Sequence, residues 1–91
     1  MKPIAQHLKR EAAGISIYGE MLLEKVSYGK ITVMGLIKYG EDMRIAKQAT
    51  LHKSIQALAE GKLINIQVSE GDNRVRICSI ATRGKNYLNS L

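Results

Sequence analysis

The sequence predicts an α+β fold, mainly α, with N-terminal helices, a tri-helical core and a closing β-hairpin. Three observations carry that expectation. From Ala49 to Ile64, Leu51, Ile55, Leu58 and Ala59 recur at steps of three and four, so they share one helical stripe, which Gly61 can terminate. Two short runs, 63–68 and 74–80, alternate apolar and polar residues as half-buried strands do, and a polar turn separates them. Upstream, Ile4, Leu8 and Ala12, then Ile15, Tyr18, Leu22 and Val26, keep helical spacing. A helix, a glycine stop and a hairpin in that order form the second half of a winged helix-turn-helix.

Each element has its own local reason. Pro3 suits a first helical turn, where its missing N–H would have no partner, so residues 3–13 are expected to be helical. Gly14 either ends that helix or sits in it as a weak point. A second helical segment is expected over 15–26, with Met21 and Leu23 widening its stripe. Ser27-Tyr28-Gly29 reads as a turn. The run Ile31 to Tyr39 fits a buried strand or a buried helix; the spacing 33, 34, 37 and a stop at Tyr39-Gly40 favour a helix, the first of the core. Asp42 is expected to cap a short helix over 43–49, with Ile45, Ala46 and Ala49 inward; a strand at 43–45 is the competing reading.

Residues 50–60 then form the amphipathic helix, with Thr50, His52, Lys53 and Gln56 on its polar face. Ile64, Ile66 and Val68 alternate with Asn65 and Gln67 in the first strand. Ser69 to Asn73 makes a compact turn. Val75, Ile77 and Ser79 share one face of the second strand. Thr82 is expected to cap a last helix over 83–91 that turns Tyr87, Leu88 and Leu91 inward. The methionines Met1, Met21, Met34 and Met43 are expected to fill the core.

Composition narrows the function. Ninety-one residues make one small domain, and 45% apolar residues are normal for a folded chain. No apolar run approaches membrane-spanning length and no secretory signal is visible, so a cytoplasmic location and no membrane partner are expected. A single cysteine excludes an internal disulfide and a cysteine-rich zinc site. The net charge of +6 is uneven: six Lys/Arg stand against five Asp/Glu through Asp42, and eight against three from Met43 onward. That localised excess points to a polyanionic partner.

The stretches A-T-L-H-K-S-I-Q-A-L, G-K-L-I, G-D-N-R-V-R and A-T-R-G-K-N-Y-L, in that order, resemble the winged helix-turn-helix of the MarR group of transcriptional regulators. The likeness covers Ser27 to Leu91. It rests on a helix running through Gly61-Lys62-Leu63-Ile64 into the wing, on Asp72-x-Arg74 at the wing tip, and on Thr82-x-Gly84 before Tyr87-Leu88. The resemblance implies a homodimer on double-stranded DNA, with the recognition helix 50–60 in the major groove and the wing 69–74 in the minor groove. By position, Thr50, His52, Lys53 and Gln56 would face the major groove, Asn73 and Arg74 would stand at the wing tip, and Asp72 would orient Arg74. The segment before Ala49 and the helix after Gly84 are both shorter than the family pattern. Residues 1–26 are therefore expected to supply a dimer contact beside a DNA-binding domain over 27–91.

Chemistry supports those positions. Gln56 can offer a paired donor and acceptor to adenine, and Lys53 can reach a guanine edge or a phosphate. Lys47, Lys62 and Arg76 fit phosphate contacts, and Arg74 on a narrow wing fits the electronegative minor groove. His7 and His52 lack the partners a metal or catalytic site would need, and Glu20 and Glu24 share a helix face without the setting of an acid/base pair. Cys78 near Arg76 is expected to be a small buried apolar residue rather than a redox sensor. No enzyme activity, cofactor or small-molecule effector is expected. The alternative function is a winged-helix protein-interaction module that does not bind DNA.

Overall fold

Five helices and a three-stranded antiparallel sheet make up the protein: α1 (Pro3–Ala13), α2 (Ile17–Ser27), β1 (Ile31–Thr32), α3 (Val33–Asp42), α4 (Gln48–Glu60), β2 (Ile64–Val68), β3 (Arg76–Ile80) and α5 (Thr82–Asn89). The computed structural model describes residues 3–90. Met1 and Leu91, expected to face inward, and the side chain of Ile4, expected at helical spacing with Leu8 and Ala12, lie outside that description.

Gly14 ends α1. It adopts φ 73°, and the N–H groups of Gly14 and Ile15 return to the carbonyls of Glu11 (3.0 Å) and Arg10 (3.1 Å). This paired closure of a helix end needs a left-handed residue, which glycine supplies without a Cβ clash. Ser16 then starts α2, its hydroxyl oxygen accepting from the Gly19 N–H at 3.1 Å. The buried face of α2 is Gly19, Leu22, Leu23 and Val26, whereas Tyr18 and Met21 turn to solvent, contrary to the broad stripe expected.

The ambiguous run after Gly29 contains both candidates. Ile31 and Thr32 form a short strand paired with Cys78 and Ile77, and Thr32 caps α3 by accepting from the Gly35 N–H at 3.0 Å. Gly40 does not stop α3. It is buried inside it, and a Cβ there would lie 2.5 Å from Leu51 Cδ2, so its lack of a side chain lets α3 and α4 approach closely.

The helix expected over 43–49 is absent, as is the strand at 43–45, and Asp42 is the last residue of α3 rather than a cap. Residues 43–47 are the turn between α3 and α4. Arg44 takes φ 55°, with Arg44 N–H to Glu41 O at 3.0 Å and Ile45 N–H to Gly40 O at 2.8 Å, closing α3 as Gly14 closes α1. Helix resumes at Gln48, and Ala49 is exposed. The tri-helical core is therefore α2, α3 and α4. Leu22, Leu23 and Val26 of α2 share a single core with residues of α3, α4, both wing strands and α5.

At the end of α4 the left-handed residue is Lys62, φ 61°, not Gly61, which stays right-handed at φ −77°. Lys62 N–H reaches Ala59 O at 3.0 Å and Leu63 N–H reaches Leu58 O at 2.9 Å. A left-handed L-residue costs about 1–2 kcal/mol, most of which glycine avoids. Lys62→Gly is therefore expected to raise folding stability by roughly 0.5–1 kcal/mol in urea denaturation. Lys62→Gly melting below the parent would contradict that account of the turn.

The wing pairs Ile64 with Ile80, Ile66 with Cys78 and Val68 with Arg76, and β1 adds to the other edge of β3. Cys78 is fully buried, so the core takes the Cys78 and Ile80 side of β3 and not the side of Val75, Ile77 and Ser79. α5 begins without a side-chain cap. Thr82 is its first residue and Ala81 precedes it, so the capping role expected of Thr82 is not observed. The methionine expectation also fails: Met21 and Met34 are exposed, Met34 by 64%, because the inward positions of α2 and α3 go to Leu22, Leu23, Leu36 and Ile37, and Met43 is exposed in the turn that follows α3.

Glu20, considered in the sequence only beside Glu24 on one helix face, is a buried carboxylate that ties α1, α2 and α5 together, whereas Glu24 is exposed. Glu20 Oε2 accepts from the Tyr87 hydroxyl, Oε1 accepts from Gln6 Nε2 at 2.7 Å, and the Arg10 guanidinium lies 3.4 Å from the same Oε1. The Lys9 ammonium sits 4.4 Å from the centre of the Tyr87 ring and donates to the Tyr87 carbonyl. Burial, then the hydrogen bond and charge of Glu20, push the Tyr87 hydroxyl well above its usual 10, against a smaller opposing pull from Arg10. A pKa raised on folding stabilises the native state fully below the unfolded value and loses that contribution as pH climbs toward the folded value. Tyr87→Phe is expected to lower stability by about 1–3 kcal/mol at pH 7, because Glu20 Oε2 loses its donor. The gap between the two proteins should then narrow above about pH 10. Denaturation midpoints from pH 7 to 11.5 check this, and a gap independent of pH would count against it.

Candidate nucleic-acid interface

The polar face of α4 survives folding. Leu51, Ser54, Ile55 and Leu58 point into the core, which leaves His52, Lys53 and Gln56 exposed and Thr50 half-buried on the flank. Lys47 precedes the helix and Lys62 follows it, and both are exposed. Arg83 holds the C-terminal end of α4, donating from its guanidinium to the Gly61 carbonyl at 2.9 Å. A cation at that end offsets the partial negative charge of the helix. Twenty-two residues separate the two groups, so no local pattern announces the contact.

The wing strands border α4 on its His52 and Gln56 flank. A cleft of about 380 Å³ is lined by His52, Gln56 and Glu60 of α4, by Ile66 and Arg76 of the wing, and by Val33. Val33 and Arg76 also line a second cleft of about 310 Å³ with Thr32, Met34, Arg74 and Val75. Thr50 and Lys53 border a hollow on the other flank of α4, with Ser16 and Tyr18. Arg74, Arg76, Gln56 and His52 are thus arranged along adjoining grooves.

The wing tip is internally braced. Asp72 Oδ1 accepts from the Arg74 backbone N–H at 2.9 Å and from Arg74 Nε at 3.3 Å. The Asp72 carbonyl accepts from Val75 N–H at 3.0 Å, and Ser69 N–H reaches Val75 O at 2.8 Å. A carboxylate bonded to the backbone two residues on is a common turn device. Here it also bonds the guanidinium of a side chain that is 92% exposed. Asn73 is exposed beside it.

Other chemistry is sparse. Burial pushes the Cys78 thiol up, away from the thiolate a redox sensor needs. Among the described residues no three His, Cys, Asp or Glu side chains form a metal-binding group, and no helix is long and apolar enough to cross a membrane. His7 lies 3.2 Å from Glu11 on the surface of α1. One polar residue on the interface went unmarked in the sequence reading: Glu60, whose Oε1 accepts from Gln56 Nε2 at 3.2 Å. Its four-residue offset from Gln56 was the available signal.

Recognition-type helix, preceding helix and turn, and two-stranded wing together make this a winged-helix protein. No protein-family model and no curated protein matches the chain in sequence. Its fold is similar to that of MepR from S. aureus, solved as a DNA complex, at a TM-score of 0.76 and 18% identity over 92% of this chain and 67% of that one. It is similar to the adhesin competence repressor AdcR of Streptococcus pyogenes (TM-score 0.69, 22% identity, 91% of this chain and 59% of that one). An ArsR family transcriptional regulator matches at 0.64 and 20% identity, over 98% of this chain and 84% of that one. The chain therefore spans about two thirds of the first of these proteins and less of the second. All three structural neighbours are winged-helix transcriptional regulators.

Proposed function

We propose that the protein is a sequence-specific double-stranded DNA-binding regulator of the MarR type. The observation that supports this most is the placement of His52 and Gln56 of α4 and of the wing arginines Arg74 and Arg76 along adjoining grooves. In this reading Thr50, His52, Lys53 and Gln56 face the major groove, and Arg74, steadied by Asp72 and flanked by Asn73, enters the minor groove. Lys47, Lys62 and Arg76 meet phosphates. The net charge of +6 adds long-range attraction. The protein acts in the cytoplasm, without a small-molecule effector, as a homodimer. Its N-terminal helices, carrying Leu8 at 58% exposure and the exposed Ile17, supply part of the dimer contact.

Titration of labelled random-sequence and selected duplexes at several salt concentrations tests the proposal. Expected is binding whose log affinity falls linearly with log salt, with a selected site bound at least about a thousandfold tighter than random duplex. Absence of any duplex binding at low salt, together with capture of a stoichiometric protein partner, would favour the interaction-module reading instead.

A further inference from the structure

We infer that Glu60 is a positioning residue for base recognition: it fixes the Gln56 amide and biases the interface toward bases that present an amino group. The inference rests on the DNA-binding reading above. Glu60 is the last residue of α4, exposed, and one turn beyond Gln56. Its Oε1 lies 3.2 Å from Gln56 Nε2. An ionised carboxylate can only accept, so the end of the Gln56 amide that faces it is the NH2 group, and the carbonyl oxygen turns away. Without that neighbour the two ends of a glutamine amide are interchangeable, and it can serve donor or acceptor edges alike.

Both side chains line the cleft shared with His52 and Arg76. Among the described residues Glu60 forms no salt bridge with Arg76 or with any other cation, so no cation holds its carboxylate away from Gln56. Adenine N6 and cytosine N4 offer hydrogens in the major groove, whereas guanine O6 and thymine O4 offer only lone pairs. An outward carbonyl beside a carboxylate attracts the first pair and repels the second. The same charge repels phosphates, so Glu60 trades affinity for any duplex against discrimination among duplexes.

The test compares the parent, Glu60→Gln, Glu60→Ala and Gln56→Ala by selection from random duplexes and by affinity for the selected site with each base substituted in turn. The parent is expected to prefer adenine or cytosine on one strand at one position of each half-site by about tenfold or more. Gln56→Ala should lose that preference. Glu60→Ala and Glu60→Gln should lose it too, since neither dictates which end of the amide faces outward, while both bind random duplex severalfold tighter than the parent. A merely structural role for Glu60 would leave the base preference intact. Unchanged preference at every position in both Glu60 variants overturns this inference alone. Failure of the parent to bind any duplex overturns the regulator reading, and this inference with it.

Discussion

Gly84→Ala is expected to be the most damaging single-methyl change in the protein. A Cβ at Gly84 would lie 2.2 Å from the Leu63 carbonyl oxygen, 3.1 Å from its carbon and 3.2 Å from Ile80 Cγ1. That carbonyl cannot swing away, because it accepts from the Ala81 N–H at 3.1 Å where the wing meets α5. α5 would have to lift, which would strip Tyr87 from Glu20 and open the core beside fully buried Leu63. Overpacking costs about 1–3 kcal/mol where side chains can adjust, and a backbone collision belongs at the top of that range. At roughly 4–8 °C per kcal/mol for a chain of this size, the melting temperature should fall by roughly 12–24 °C. Gly71, with nothing within 4 Å of its Cβ position, is the control, and Gly71→Ala should cost no more than about 0.5 kcal/mol. Equal melting temperatures for the two variants would refute the packing described at α5.

The second large effect concerns binding rather than stability. Lys53 and Arg74 stand on different elements, both exposed, with Arg74 bonded only to Asp72 among the described residues. Removing both should leave folding within about 0.5 kcal/mol of the parent. If Lys53 meets a phosphate or a base in the major groove and Arg74 lies in the minor groove, the double substitution to alanine removes two cationic contacts. Duplex affinity should then fall by at least about tenfold, and the slope of log affinity against log salt should become shallower by about 1–2. Fluorescence anisotropy at 50–200 mM salt, about the range where such effects are largest, measures both. Unaltered affinity and slope would remove these two residues from the interface.

What the sequence revealed, and what it hid, follows from the range of the forces involved. The stripe Leu51, Ile55 and Leu58 and the alternation across Ile64 and Ile66 are local periodicities, and both elements formed where expected. The exposure of Lys53 and Gln56 follows from the same periodicity. The turn at 43–47 was hidden because a left-handed helix closure usually shows itself as glycine, and here the residue is Arg44. The same substitution of expectation occurred at Gly61 and Lys62. Gly40 read as a stop because its reason, the Leu51 side chain, arrives from another helix. Glu20 and Tyr87 are 67 positions apart, and Arg83 and Gly61 are 22 apart, so their bonds leave no periodic trace. Among the contacts of the candidate interface, the pairing of Asp72 with Arg74 is the one that the resemblance at the wing tip implies.

The central claim is that α4 and the wing grip one duplex from one side, in neighbouring grooves of different width. Dimethyl sulfate probing of the bound site tests it most directly, since the reagent attacks guanine N7 in the major groove and adenine N3 in the minor groove. The account predicts protected guanines where α4 lies, flanked at once by protected adenines that become reactive again in Arg74→Ala. Bound duplex with guanines protected and no flanking adenine protected, or adenine protection indifferent to Arg74→Ala, would contradict it.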